Sequence, residues 1–190
     1  MKIGLFFGSF NPVHIGHMII ANYLYQYTDL DKIWLVVSPH NPLKNKKSLA
    51  NDYDRLHLVN LAIGDNPHLQ SSNIEFSLPI PSYTIDTLTY LKEKYPKYHF
   101  HLIMGSDNIL SIHKWKNYEL LLRDYEIFIY RRPGSESTLF SEQPNIHYID
   151  APLLDISSTQ IRAMIQEGKS IQYLVPDTVY HYLLNSSLYR

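Results

Sequence analysis

The densest chemistry in the chain lies in one short stretch, Gly8-Ser9-Phe10-Asn11-Pro12-Val13-His14-Ile15-Gly16-His17. His14 and His17 stand three residues apart, so on the first turn of a helix both imidazoles face one side. An apolar run, Ile3 to Phe7, precedes the stretch, and a helical pattern from about Gly16 to Gln26 follows it. A strand-to-helix turn is where open α/β sheets bind ligands. Gly8 allows the backbone to turn tightly, and a helix N-terminus supplies unpaired N–H groups and the positive end of a dipole. Two imidazole donors above such an end suit a polyphosphate better than an apolar ligand. A capping histidine beside a surface one is the blander alternative. A zinc pair is the third, but no carboxylate or further histidine stands nearby at ligand spacing.

A second stretch, Asp155-Ile156-Ser157-Ser158-Thr159-Gln160-Ile161-Arg162, lies near the other end of the chain. Ser157 or Ser158 suits the N-cap of a helix. Arg162 is four residues past Ser158 and on the same face, so hydroxyl and guanidinium could converge on one phosphate. Taken alone, the same residues describe an ordinary capped helix with an exposed arginine.

The elements that must position these groups alternate along the chain. Ile3 to Phe7 and Ile33 to Val37 are apolar runs, the pattern of strands buried on both faces, and His99 to Met104 and Glu126 to Tyr130 read as two further strands. Ile74 to Leu78 is a weaker strand, and Ile146 to Ile149 a short last one. Helical patterns cover Asp52 to Ile63, Ser82 to Tyr95, Asn117 to Arg123, Ser158 to Glu167 and Pro176 to Leu184. Strands alternating with helices predict the α/β class, a doubly wound parallel sheet built from right-handed βαβ units. Residues 1–190 are expected to form a single domain, with 158–190 as a candidate small helical subdomain. The segment from Gly134 to Asn145 is expected to be the most mobile loop.

Composition narrows the function classes. Of the 190 residues 45% are apolar and 18% charged, enough for a sizeable core and unlike a disordered chain. Lys plus Arg number 17 against 18 Asp plus Glu, a net charge of −1, which gives no basic surface for nucleic acid. The 16 tyrosines are spread throughout and define no stacking platform for RNA. There is no cysteine, which excludes disulfides, thiolate nucleophiles and cysteine metal sites. No stretch reaches the roughly 18 apolar residues of a membrane span. A cytoplasmic protein is the expectation.

At this point the motifs acquire a resemblance. Gly8 to His17 is similar to the (T/H)xGH signature of the nucleotidylyltransferase superfamily, and Ile156 to Arg162 to its second signature, ISSTxIR. Ser82-Tyr83-Thr84-Ile85-Asp86-Thr87-Leu88, Met104-Gly105-Ser106-Asp107-Asn108, Trp115 and Tyr173-Leu174-Val175-Pro176 resemble segments of the bacterial nicotinate-nucleotide adenylyltransferases. The resemblance covers nearly the whole chain and is weakest over 134–145. It implies a Rossmann-like nucleotidylyltransferase fold with a small C-terminal helical part. It also implies transfer of AMP from ATP to nicotinate mononucleotide by direct in-line displacement. The products are nicotinate adenine dinucleotide, a step of NAD biosynthesis, and pyrophosphate; Mg²⁺ is required and is carried by the ATP phosphates, with no metal ligands on the protein.

The resemblance further assigns roles. His14, His17 and Arg162 are the catalytic set, with both histidines on the ATP phosphates. Ser158 and Arg162 hold the β- and γ-phosphates and the departing pyrophosphate. Gly8, Ser9, Phe10, Ile156 and Ser157 complete the ATP contacts, and Gly105 and Asp107 face the nucleotide ribose. Asp107 also suits a helix N-cap. On the pyridine side Trp115 stacks on the ring, unless it is a core tryptophan, and amides around Tyr83 and Thr84 receive the nicotinate carboxylate, unless Ser82 or Thr84 merely caps a helix. Lys44 reaches the mononucleotide phosphate, in a loop, Ser38 to Lys44, that departs from the shorter family form. Ser106, where alanine is common, is expected to be interchangeable with it. Arg132 resembles a family residue of unassigned role. Preference for nicotinamide mononucleotide or phosphopantetheine, and a non-catalytic ATP sensor, are the alternatives. Oligomeric state, including a homo-oligomer, stays open.

Overall fold

A computed structural model describes residues 1–39, 49–132, 134–135, 137–152 and 154–190. Six parallel strands form one sheet in the order β3-β2-β1-β4-β5-β6, where β1 is Lys2–Gly8, β2 Lys32–Val37, β3 Leu69–Ser72, β4 His99–Gly105, β5 Ile127–Tyr130 and β6 Ile146–Ile149. The helices are α1 (Ile15–Tyr27), α2 (Asp52–Ile63), α3 (Thr84–Lys94), α4 (Ser106–Ile109), α5 (Tyr118–Asp124), α6 (Ser158–Gln166) and α7 (Asp177–Leu184). The chain winds outward from β1 to β3, then returns to the other flank of β1 with β4. The strand order therefore reverses between β1 and β4, and the crevice beyond their carboxyl ends is the ligand position of such sheets.

Alternation along the strands separates the two layers. Phe6, Leu35, Val37, Ile103 and Phe128 face Ala21 and Leu24 of α1, Leu58 and Val59 of α2, Ile161 of α6, and Val179 and Leu183 of α7. Ile3, Leu5, Trp34, Val36 and Phe100 face Ile85, Leu88 and Leu91 of α3 and Leu121 of α5. The 158–190 helices thus pack into the main core, and Thr178 donates its hydroxyl to the Leu61 carbonyl of α2 at 2.6 Å. Gly4 lets β1 sit at the sheet centre: a Cβ there would stand 2.7 Å from the Ile103 side chain.

One strand expectation needs correction. The third strand is Leu69–Ser72, and Ile74–Ser77 is a 3₁₀ turn. β3 is an edge strand with only Leu69 buried, so its residues Gln70, Ser71 and Ser72 carry no apolar signal. The Gly134–Asn145 segment, where described, is attached to the body: Phe140 packs on the core and Tyr148 donates its hydroxyl to the Leu139 carbonyl at 2.8 Å.

Candidate active site

β1 ends at Gly8 beside β2, where the Ser38 N–H donates to the Gly8 carbonyl at 2.9 Å. A Cβ on Gly8 would lie 2.8 Å from the Phe10 ring, so the turn requires glycine. Phe10 takes a left-handed backbone, φ 43°, and drops its ring into the core, edge-on to Phe6 and to His17 at 5.8 and 5.0 Å between ring centroids. Its side chain is therefore a wedge under the loop.

His14 is the N-cap of α1 and His17 its third residue. Their rings lie 3.7 Å apart between centroids, on one side of the helix start as the spacing requires. The His14 N–H donates to His17 Nδ1 at 3.2 Å. As an acceptor, Nδ1 carries no proton there, which places the His17 proton on Nε2. Gly16 makes room for the His14 ring, since a Cβ would stand 3.1 Å from it. His14 is buried, and burial first, then the charge of Arg132, pushes its pKa from 6.5 down to about 4. It is a neutral hydrogen-bonding group at physiological pH, not a cation.

The second motif docks on the first. Ser157 is the N-cap of α6, its hydroxyl accepting from the Gln160 N–H at 3.2 Å. Ile156 packs against the main core. Ser158 donates its hydroxyl to the Pro12 carbonyl at 2.8 Å, and Arg162 Nη1 donates to the Asn11 carbonyl at 2.8 Å. Ser158 and Arg162 share a face, and each bonds a main-chain carbonyl of the first loop. The Tyr173–Pro176 segment joins the same loop, where the Leu174 carbonyl accepts the Ile15 N–H at 2.9 Å. Two helix N-termini, of α1 and α6, thus meet at one turn, and their dipoles add there in favour of an anion.

Across the switch point, Gly105 ends β4. A Cβ there would lie 2.8 Å from Arg132 Nε, which again leaves glycine as the fit. The N-cap of α4 is Gly105 and not Asp107, which sits in the first turn and pairs with Arg132 Nε at 3.3 Å. Arg132 Nη2 also donates to the Tyr130 hydroxyl at 2.8 Å. Ser106 is not interchangeable with alanine: its fully buried hydroxyl accepts the Arg132 N–H at 2.9 Å. Arg132, left unassigned by the motifs, is the cation that faces His14, Tyr130 and Asp107 together.

On the pyridine side, α3 begins with Tyr83 as N-cap and no side chain capping it, so neither Ser82 nor Thr84 takes that role. Trp115 follows a 3₁₀ turn, Ile112–Lys114, and is half-buried against both clusters of the α3–α5 layer. Lys116 closes the gap between that turn and α3, pairing with Asp86 at 2.8 Å and lying 5.1 Å from the Tyr83 ring centroid. Lys44 lies outside the described residues. Two buried charged residues were missed. Glu75 accepts from Thr87 Oγ1 at 2.8 Å and from Ser38 and Ser82, linking the end of β2 to the start of α3, and burial raises its pKa. Arg55 is fully buried under the first loop. The one signal for it is its place on the apolar face of α2, one turn before Leu58 and Val59.

Among the described residues no three His, Asp or Glu side chains stand close enough to hold an ion. The donors around His14 and His17 are imidazoles and hydroxyls, whereas Mg²⁺ asks for several oxygens in octahedral array.

The class follows from the two docked motifs at the switch point of a doubly wound sheet. Residues 5–164 match the cytidylyltransferase-like family model, so the fold is that of a nucleotidylyltransferase. A Flavobacterium psychrophilum protein named "probable nicotinate-nucleotide adenylyltransferase" is 53% identical over the whole of both chains. A Bacteroides fragilis protein of the same name is 45% identical over 98% of this chain and 92% of its own. The chain belongs to the nicotinate-nucleotide adenylyltransferase family. In fold it is similar to the nicotinic acid mononucleotide adenylyltransferase of Plasmodium falciparum solved with NaAD, with TM-score 0.84 at 22% identity over 99% of this chain and 97% of that one.

Proposed function

We propose that the protein transfers AMP from ATP to nicotinate mononucleotide, releasing pyrophosphate, as a step of NAD biosynthesis. One observation carries this reading: residues 146 and 151 positions apart in sequence, Pro12 with Ser158 and Asn11 with Arg162, meet in direct hydrogen bonds at the strand switch point. In the reaction, a 5′-phosphate oxygen of the mononucleotide forms a bond to the α-phosphorus of ATP. The bond from that phosphorus to the bridging oxygen breaks, and pyrophosphate leaves with the electron pair. No protein nucleophile and no net proton transfer to the protein is needed, so the work is positioning and charge stabilisation.

The chain's own groups divide that work. His14 and His17 donate hydrogen bonds to the phosphates from the start of α1, with His14 neutral and His17 offering Nε2–H. Arg162, partly committed to the Asn11 carbonyl, retains guanidinium charge for the departing pyrophosphate, with Ser158 beside it. Gly105 and Asp107 border the ribose, and Arg132 sets the potential between them and His14. Tyr83, Thr84 and Trp115 receive the nicotinate end, and Lys44 the mononucleotide phosphate. Mg²⁺ bound to the ATP phosphates would neutralise part of their charge, with Arg162 and the two histidines supplying the protein's share. Among the described residues no helix is long and apolar enough to cross a membrane. We place the enzyme in the cytoplasm with its substrates, with no nucleic-acid partner required and a homo-oligomer compatible with the site.

Pyrophosphate release from ATP and Mg²⁺, measured with nicotinate mononucleotide, nicotinamide mononucleotide and phosphopantetheine at equal concentration, tests this. Strong preference for the nicotinate substrate, lost on adding EDTA, is the expected result. Equal use of the two pyridine nucleotides would remove the carboxylate role of Tyr83 and Thr84. ATP binding without turnover of any substrate would overturn the enzyme reading.

A further inference from the structure

We infer that Arg55 is a positioning residue for ATP, acting through the peptide that joins Ser9 to Phe10; this rests on the function proposed above. Arg55 projects from the first turn of α2, and its side chain is fully buried. Its guanidinium is spent almost entirely on main-chain oxygens. Nε donates to the Ala50 carbonyl at 3.1 Å, Nη1 to the Ser9 and Ser38 carbonyls at 2.5 and 2.9 Å, and Nη2 to the Pro39 carbonyl at 3.5 Å. The Asp52 carboxylate, half-exposed, takes the remaining bond from Nη2 at 2.6 Å. One planar fork thus fixes three segments at once: the turn after β1, the end of β2 and the approach to α2. A second tie runs the same way, from the Ala50 N–H to Asn11 Oδ1 at 3.1 Å.

The consequence lies in peptide geometry. In a trans peptide the N–H points away from the C=O. Anchoring the Ser9 carbonyl on Arg55 therefore turns the Phe10 N–H to the opposite side of the loop. The Phe10 ring is locked below by Phe6 and His17, so the peptide has no other pivot. By the same geometry, Ser158 on the Pro12 carbonyl turns the Val13 N–H away from α6. The Ser9 carbonyl, which would repel phosphate oxygens, is held away by Arg55, and the Phe10 N–H behind it is turned toward the nucleotide. Arg55 does not touch substrate in this scheme. It acts as a brace whose partners are carbonyls, which explains why a cation is buried with only one half-exposed carboxylate beside it.

The test is Arg55→Lys assayed by pyrophosphate release, with circular dichroism to count folded molecules. Lysine keeps the charge but cannot reach three segments with one planar fork. The expected result is a KM for ATP raised at least about fivefold and kcat lowered about tenfold or more, with the KM for nicotinate mononucleotide changed less than about threefold. A thermal midpoint that falls while both KM values per folded molecule stay put would overturn the inference, because a merely structural arginine gives that pattern. If Arg55→Lys does not fold, Asp52→Asn serves. It loosens only Nη2, and the KM for ATP should rise about two- to threefold with that for the mononucleotide unchanged; no rise overturns the inference. Wild-type turnover is measured alongside. Its absence would defeat the proposed function, whereas an active wild type with indifferent variants would defeat only the role of Arg55.

Discussion

His14 should make the protein lose stability as the pH falls toward 5, and His14→Gln should remove that loss. The folded chain holds the imidazole neutral down to about 4, through burial and the neighbouring Arg132, whereas the unfolded chain binds the proton near 6.5. Between those values the unfolded state carries more protons, so stability falls as pH falls, and the loss is complete below 4. At pH 7.5 both states are neutral and the contribution is near zero. At pH 5 the unfolded histidine is almost wholly charged and the folded one mostly neutral, a difference of roughly 2 kcal/mol. For a chain of 190 residues that corresponds to about 4–8 °C in thermal midpoint. Glutamine keeps a polar side chain of similar reach and does not titrate. Wild type and His14→Gln should be melted at pH 7.5 and pH 5.0, and the drop between the two should be smaller in the variant by that amount. His101, whose pKa burial also lowers, and Glu75, whose pKa burial raises, are common to both proteins and cancel. An equal drop in both would refute the buried neutral histidine. An imidazole proton resonance of His14 titrating near 6.5 would refute it directly.

Three further outcomes follow from the same geometry. Ser158→Ala removes the hydroxyl that holds the Pro12 carbonyl; it should cost about 1 kcal/mol in a urea melt and lower kcat several-fold, and unchanged kcat would separate α6 from the chemistry. Ser106→Ala leaves the Arg132 N–H unpaired and should cost roughly 1–3 kcal/mol, so an unchanged urea midpoint would contradict the bond described. Trp115→Ala should raise the KM for nicotinate mononucleotide about tenfold or more and that for ATP little, since stacking on one face of a ring is lost; equal rises would make Trp115 a core residue only.

The sheet was legible where burial on both faces writes it into residue type. Ile33 to Val37 lies beside the centre, buried on both faces, and reads as an unbroken apolar run, as Leu102 to Met104 does at the end of the next inner strand. Leu69–Ser72 sits at the edge, where one face and one flank meet solvent, and its pairing with β2 is made by main-chain groups that any residue owns. The more apolar Ile74 to Leu78 attracted the strand assignment instead. It winds as 3₁₀ with Ile74 buried and Glu75 turned in to Thr87.

The same division governs the site. Residue type and spacing revealed which groups donate: two histidines on one side of a helix start, and a serine and an arginine four apart. They could not reveal what receives. Ser158 and Arg162 bond to the carbonyls of Pro12 and Asn11, Arg55 to those of Ser9, Ser38, Pro39 and Ala50, and no side chain marks a carbonyl as an acceptor. These bonds are nevertheless what a phosphate site needs. A turn that presents N–H groups to an anion must face its oxygens elsewhere, and oxygens gathered in a buried place need donors. Cations and hydroxyls at the back of the loop are therefore as much a part of anion binding as the histidines at its front. Their chemistry becomes visible only when the strands have brought α2 and α6 to opposite sides of the same turn.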